Sequence, residues 1–498
     1  MKKLKNLFVA LALCAPLTAV AQGIQINAEN FPDENFRSYL LEQDYGLDGV
    51  ITEAEINDII WIEVSSRSIS SLEGIEHFTA LEYLICDDNQ LTTLDVSNNT
   101  ALAFIVCSEN QLTALDLSNN TTLMGLECGG NQLTTLNVSG CTALESFQCY
   151  SNGQLALNAS GCTALTEFWA SGNLTLLNLS GCTALTELEF SSIFQQQITS
   201  LDVSGCTALT RLNCEGIQLA SLNLSGCTAL TYLYCNGNQL TSLDVSECTA
   251  LAALQCYSNQ LTALDVSTNT ALTHLLCNDN QLTTLDVSNN TALTSLYCSD
   301  NQLAALDVSN NTALTELRCS DNQLIALDVS NNTALTELQC SRNLLTTLDM
   351  SKNTALIYLW CDGNQLTALD MSNNTALTSL YCGCNQIKGE AMDALVNSLP
   401  ETTAGALPVY YEGVANEGNV ITKSQVATAK AKGWKTSYWP SDGDRWKEYE
   451  GMDDSATSIA LPEIENGSAA IYTLSGQKVT DTTKKGVYII NGKKVVVK

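Results

Sequence analysis

The stretch LTSLYCSDNQLAALDVSNNTA, Leu293 to Ala313, is followed by LTELRCSDNQLIALDVSNNTA from Leu314 and LTELQCSRNLLTTLDMSKNTA from Leu335. A 21-residue unit therefore repeats with Leu at positions one, four, eleven and fourteen. Cys stands at position six and Asn at position nine. Working outward in both directions gives fourteen complete units from Leu81 to Ala376, with a fifteenth starting at Leu377. One unit loses a residue near Asn173, and the next gains three around Ile193 to Gln197.

The spacing dictates a side-chain geometry. Alternate residues of an extended segment face opposite ways. With Leu293, Leu296 and Cys298 turned inward, positions three and five must face outward on a parallel sheet shared by successive turns. The segment L-x-x-L-D-V-S returns along the other side. Position nine is Asn in Asn89, Asn110, Asn131, Asn280, Asn301 and Asn322. A buried carboxamide can bond the backbone where the chain turns, which a Leu cannot. Period and core pattern identify leucine-rich repeats. The fold class expected is a repeat solenoid with a parallel β concave face and an irregular or β convex side. A helical N-cap, an α/β C-cap and a small all-β C-terminal module complete it.

The outward positions carry Tyr83, Phe104, Trp169, Arg211, Tyr232, Tyr234, Tyr297, Arg318, Tyr358, Trp360 and Tyr381. Glu127, Glu167, Glu187, Glu189, Glu316 and Glu337 lie between them. Rings turned away from a core mark an interface, since they supply large contact area at small entropic cost. The competing reading is that aromatic residues simply favour strands. Two groups concentrate the rings: Tyr232 and Tyr234 with Tyr257, and Tyr358, Trp360 and Tyr381.

Two columns of cysteine run through the repeats. One fills position six, from Cys86, Cys107, Cys128 and Cys149 to Cys214 through Cys382, interrupted at Ala170 and Phe190. The other, Cys141, Cys162, Cys182, Cys206, Cys227 and Cys248, replaces an Asn of S-N-N-T-A. Disulfides between neighbours and a stack of buried thiols both fit the spacing, and side-by-side packing favours thiols. A third column of Asp95, Asp116, Asp202, Asp244, Asp265, Asp286, Asp307, Asp328, Asp349 and Asp370 lies on the convex side. It reads as local backbone bonding in preference to cation collection.

A 21-residue unit with a cysteine ladder resembles the internalin class of bacterial surface adhesins, over Leu81 to Gln386. That resemblance implies a curved, right-handed solenoid and a ligand-binding role. It implies no particular ligand, because the outward residues change from turn to turn.

The flanks complete the plan. Residues 1–21 read as a signal peptide, with Lys2, Lys3 and Lys5, an apolar run from Leu7 to Leu17, and Ala19-Val20-Ala21 as the cleavage site. Residues 22–80 read as an N-terminal cap with a helix over Pro32 to Gln43. Asp44, Asp48 and Glu55 then follow the spacing of an EF-hand loop. Gly46 stands where a third oxygen ligand belongs, so the candidate calcium site is degraded and a metal-free turn is the favoured reading. Residues 387–441 read as an α/β C-terminal cap and 442–456 as a polar linker. Residues 457–498 form a β module whose IYTLSGQKV and GVYIINGKKVVVK strands resemble the sorting domain of type IX secretion.

Composition limits the function. A net charge of −31 disfavours nucleic acid and anionic membrane. No later segment is long enough to span a bilayer. His274 and Cys277 face opposite ways, and Cys382-Gly383-Cys384 lacks a second metal pair. No phosphate loop or nucleophile elbow is present, so an enzyme is not expected. The function expected is a monomeric secreted or cell-surface binding protein that takes a protein ligand on its concave face. Polysaccharide capture and self-association as an envelope component are the alternatives. No cofactor is expected beyond weakly bound calcium.

Overall fold

The computed structural model describes residues 23–169, 172–190, 198–443 and 445–454, together with four short strands between 471 and 497. It divides into two compact units, up to Leu303 and from Ala304. The proposed signal peptide, Ala170 and the Ile193–Gln197 insertion lie outside the described residues.

The first unit begins with helix α1 (Glu34–Glu42), started by Asp33, whose carboxylate accepts the Asn35 and Phe36 amides. Helix α2 (Glu53–Asp58) carries a capping box between Thr52 and Glu55. Phe31, Phe36 and Phe78 are fully buried and close the open end of the repeat core with ring contacts. The coil starts before Leu81. The Trp61–Glu63 strand pairs in parallel with Tyr83–Ile85, and Ile59, Ile62 and Val64 are buried like a Leu-Leu-Cys set. The boundary expected at residue 80 therefore leaves one complete turn, from Ile59 onward, inside the expected cap.

From there each turn contributes a three-residue strand to a parallel ladder. The steps run Tyr83↔Phe104, Phe104↔Gly125, Gly125↔Ser146 and Ser146↔Glu167. A second ladder runs from Glu187–Glu189 through Arg211–Asn213, Tyr232–Tyr234, Ala253–Gln255 and His274–Leu276 to Ser295–Tyr297. Like positions face like positions, so Leu84, Ile105 and Leu126 stack inward and are at most 1% exposed. On the opposite side Thr135–Asn137, Asn152–Asn158, Gly172–Asn178, Ser200–Asp202 and Ser221–Asn223 form a five-stranded parallel sheet.

The second unit continues the pattern from Glu316–Arg318 to Ser379–Tyr381. Its cap adds helix α3 (Glu390–Ser398), strand Gly405–Tyr411, helix α4 (Lys423–Ala431) and strand Trp434–Trp439. Trp434 is buried and its indole donates to the Pro400 carbonyl at 2.7 Å. The stretch expected as a linker differs: Lys447–Glu448 pairs antiparallel with Ser437 and Tyr438. The reason is aromatic packing, since Trp446 meets Tyr381, Tyr411 and Trp439 edge to face at 5.3 to 5.7 Å. Further along, Ile471–Thr473, Lys478–Val479, Gly486–Ile490 and Lys493–Val497 form a four-stranded antiparallel sheet.

Buried amides hold successive turns together. Asn110 donates to the carbonyls of Cys86, Cys107 and Ser108 and accepts the Leu91 amide. Cys86, Cys107, Cys128 and Cys149 are free and buried. Burial pushes the Cys107 and Cys149 thiols up to about 12, which keeps them protonated.

Candidate functional site

The concave strands present positions three and five to solvent, as the alternation requires. Tyr232, Tyr358 and Trp360 are 43%, 46% and 38% exposed, while Leu233 and Leu359 between them are fully buried. Tyr83, Phe104, Arg211, Tyr234, Tyr297, Arg318 and Tyr381 are half-buried. Trp169 ends the Glu167–Trp169 strand, but its side chain lies outside the described set.

Strand spacing of about 4.8 Å brings rings at one position of adjacent turns into stacking range. Tyr83 is sandwiched between Trp61 at 4.9 Å and Phe104 at 5.2 Å, the latter nearly coplanar at 4°. Trp360 and Tyr381 meet at 5.1 Å. The Arg211 guanidinium lies 5.2 Å over the Tyr234 ring. Arg318 pairs with Glu337 at 3.0 Å, and Glu337 also accepts the Gln339 amide.

One expected grouping is not formed. Tyr257 is at position seven, beyond the end of Ala253–Gln255, so it leaves the sheet that carries Tyr232 and Tyr234. Burial first, then the Glu215 charge, raises its phenol above the ordinary value. Two residues of the face had escaped notice. Trp61 opens the Tyr83 stack, and the Ile59-x-x-Ile62-x-Val64 spacing is the signal that would have found it. Trp446 comes from outside the repeats and has no such signal.

The candidate calcium ligands Asp44, Asp48 and Glu55 are not brought together. Among the described residues no three His, Cys, Asp or Glu side chains gather to hold a metal. Glu55 is spent on the α2 cap, accepting the Thr52 amide at 2.7 Å and hydroxyl at 2.8 Å. Asp48 accepts the Val50 amide. The convex aspartates also bond locally: Asp95, Asp116, Asp265 and Asp307 each accept the amide two residues on.

Residues 142–247 match the family described as the endo-beta-N-acetylglucosaminidase EndoS LRR domain, and residues 83–106 match the LVIVD repeat. Internalin J of Listeria monocytogenes is 36% identical over 70 residues, 14% of this chain and 8% of that protein. The chain therefore spans under a tenth of the length of the curated relative it matches. This is a leucine-rich-repeat solenoid. The solved functional domain of internalin J, described as including a cysteine ladder, is 32% identical to it. That match covers 78% of this chain and 83% of the other, with a TM-score of 0.39. A leucine-rich-repeat protein of Leptospira interrogans is 21% identical over 70% of the solenoid chain and 95% of its own, with a TM-score of 0.44. Among the described residues no helix of the solenoid is long and apolar enough to cross a membrane.

Proposed function

We propose that the solenoid is a binding protein, exported to the cell surface or beyond, that takes a protein ligand on its concave face. The carrying observation is the contrast along Tyr232–Tyr234 and Tyr358–Trp360: a fully buried Leu flanked by exposed or half-buried rings, with the outward residues changing from turn to turn. A fold indifferent to partners has no reason to keep Tyr358 and Trp360 in water. Export rests on the lysines, apolar run and Ala-Val-Ala of residues 1–21.

The stacking supports a protein over a sugar. Sugars bind the face of a ring, and both faces of Tyr83 are covered by Trp61 and Phe104. What Tyr83 leaves open is its ring edge, suited to apolar side chains and carbonyl oxygens. Polysaccharide capture stays as a second reading because the family matching residues 142–247 is named for an endoglycosidase.

The test is a pull-down with residues 22–498, followed by affinity measurement on the protein captured. Replacing Tyr358 and Trp360 together by Ala should weaken binding roughly 30-fold or more, the loss of one strong aromatic contact. The circular dichroism melt should not move. Undiminished binding, or a glycan array positive where no protein is captured, overturns the reading.

A further inference from the structure

In nearly every described turn of the first unit, two consecutive amides fork onto one carbonyl of the turn before. Thr166 and Glu167 both donate to Glu145, Thr210 and Arg211 to Thr186, and Thr231 and Tyr232 to Thr210. At one step the fork is missing. Among the described residues of the turn carrying Thr166 the Thr186 and Glu187 amides find no acceptor, and the ladder ending at Glu167–Trp169 does not join the one beginning at Glu187–Glu189. The opposite sheet is unbroken there, with Leu177 paired to both Leu157 and Leu201. The two turns are tied on the convex side and parted on the concave side.

The sequence marks the same step. The turn from Leu165 has 20 residues and the next, from Leu185, has 24, so both departures from the 21-residue period meet at this one step. The core registers it too. Position four is buried at Phe147, at Leu188 across the step and at Leu212, whereas Phe168 is half-buried. Its remaining ring contact is Phe147 at 5.7 Å. Glu167, Glu187 and Glu189 are exposed around the opening, and Glu189 also accepts the Asn213 amide at 3.3 Å.

We propose that this opening is a strand-acceptor site for an extended peptide alternating basic and apolar residues. Unpaired strand edges are templates for another strand, which gains affinity from its backbone and specificity from alternate side chains. Carbonyls of the incoming strand accept the Thr186 and Glu187 amides. Its basic side chains face Glu167, Glu187 and Glu189, and its apolar ones cover Phe168. The site narrows the concave-face reading to one place and one partner chemistry, and rests on that reading only for the face used.

Hydrogen exchange on the full chain tests the opening first. The Thr186 and Glu187 amides should exchange at least about 100-fold faster than those of Thr210 and Arg211. Equal protection overturns the proposal, because the edge would then be closed. A synthetic peptide of alternating Lys and Val should slow that exchange and bind measurably. The same peptide N-methylated on alternate backbone amides should bind at least about tenfold more weakly, as should the peptide tested on E167Q/E187Q/E189Q. No binding, or equal binding by the N-methylated or a Glu–Val peptide, overturns it. Concentration-dependent dimerisation through this edge, in place of peptide binding, also overturns it. Replacing Tyr358 and Trp360 by Ala should leave peptide binding unchanged, which separates failure here from failure of the wider reading.

Discussion

At the scale of single residues, Asn280 shows what joins one turn to the next. Its carboxamide donates to the carbonyls of Cys256, Cys277 and Asn278 and accepts the Leu261 amide, all between 3.0 and 3.2 Å. Those backbone groups are buried in a loop where no strand can satisfy them. Asn280→Ala should therefore cost at least about 3 kcal/mol by urea unfolding, since several polar groups lose their partner together. Asn269, at position nineteen, is a different case. It donates to Val245 and Cys248, but its buried oxygen has no partner. The cysteines that fill this position elsewhere keep a donor and bring no orphan oxygen: the Cys162 thiol donates to Val138 and the Cys227 thiol to Val203. Asn269→Cys should accordingly change stability by less than about 1 kcal/mol. Equal costs at the two positions would show that the two asparagine columns are not distinct.

At the scale of elements, the choice of turn decides whether the convex side becomes a sheet. Where the loop reads Ser-Asn-Asn-Thr, side chains tie it: Asn119 donates to Ser97 and Asn289 to Ser267. Where it reads Ser-Gly-Cys-Thr, the backbone does so directly, with Gly161 donating to Ser180, Gly181 to Ser204 and Gly205 to Ser225. The glycines permit this with φ near +75° and a close approach. A Cβ on Gly226 would stand 3.2 Å from the Gly205 backbone, whereas one on Gly140 would meet nothing. Both Ala substitutions strain φ by about 1 to 2 kcal/mol. Gly226→Ala should cost measurably more than Gly140→Ala in urea unfolding, the excess reporting the packed convex backbone, and equal losses would refute it. The inward and outward columns were legible in the sequence because a strict period repeats the same geometry. Which turns make the convex side a sheet was not, since exchanging Asn-Asn for Gly-Cys reads as drift until backbone spacing is known. Trp61 hid behind isoleucines in place of leucines. Trp446 joins the face only through tertiary packing, which no period records.

At the scale of the whole molecule, acid sets two effects against each other. Hydrogen bonds from the serine two residues on hold the carboxyls of Asp95, Asp116, Asp244, Asp265, Asp307, Asp328 and Asp349 below the ordinary value. A carboxyl lowered in the folded state stabilises fully above its unfolded pKa of about 3.9, and that contribution disappears as pH falls through the lowered folded values. Each group is exposed and individually weak, but the same sign recurs along the column. Against this stands a net charge of −31, whose self-repulsion eases as carboxylates elsewhere begin to take up protons. Repulsion is screened by salt and is relieved first, while the serine-bonded carboxyls titrate last. Stability in about 0.15 M salt should therefore hold or rise from pH 7 to about 5 and then fall steeply below about 4. Thermal melts across that range measure it. Replacing Asp265 and Asp307 by Asn keeps an acceptor for Ser267 and Ser309 and removes the titration, so the acid limb should flatten in that variant. A stability that climbs continuously to pH 3 would mean that repulsion dominates and that the aspartate column contributes nothing to holding the turns.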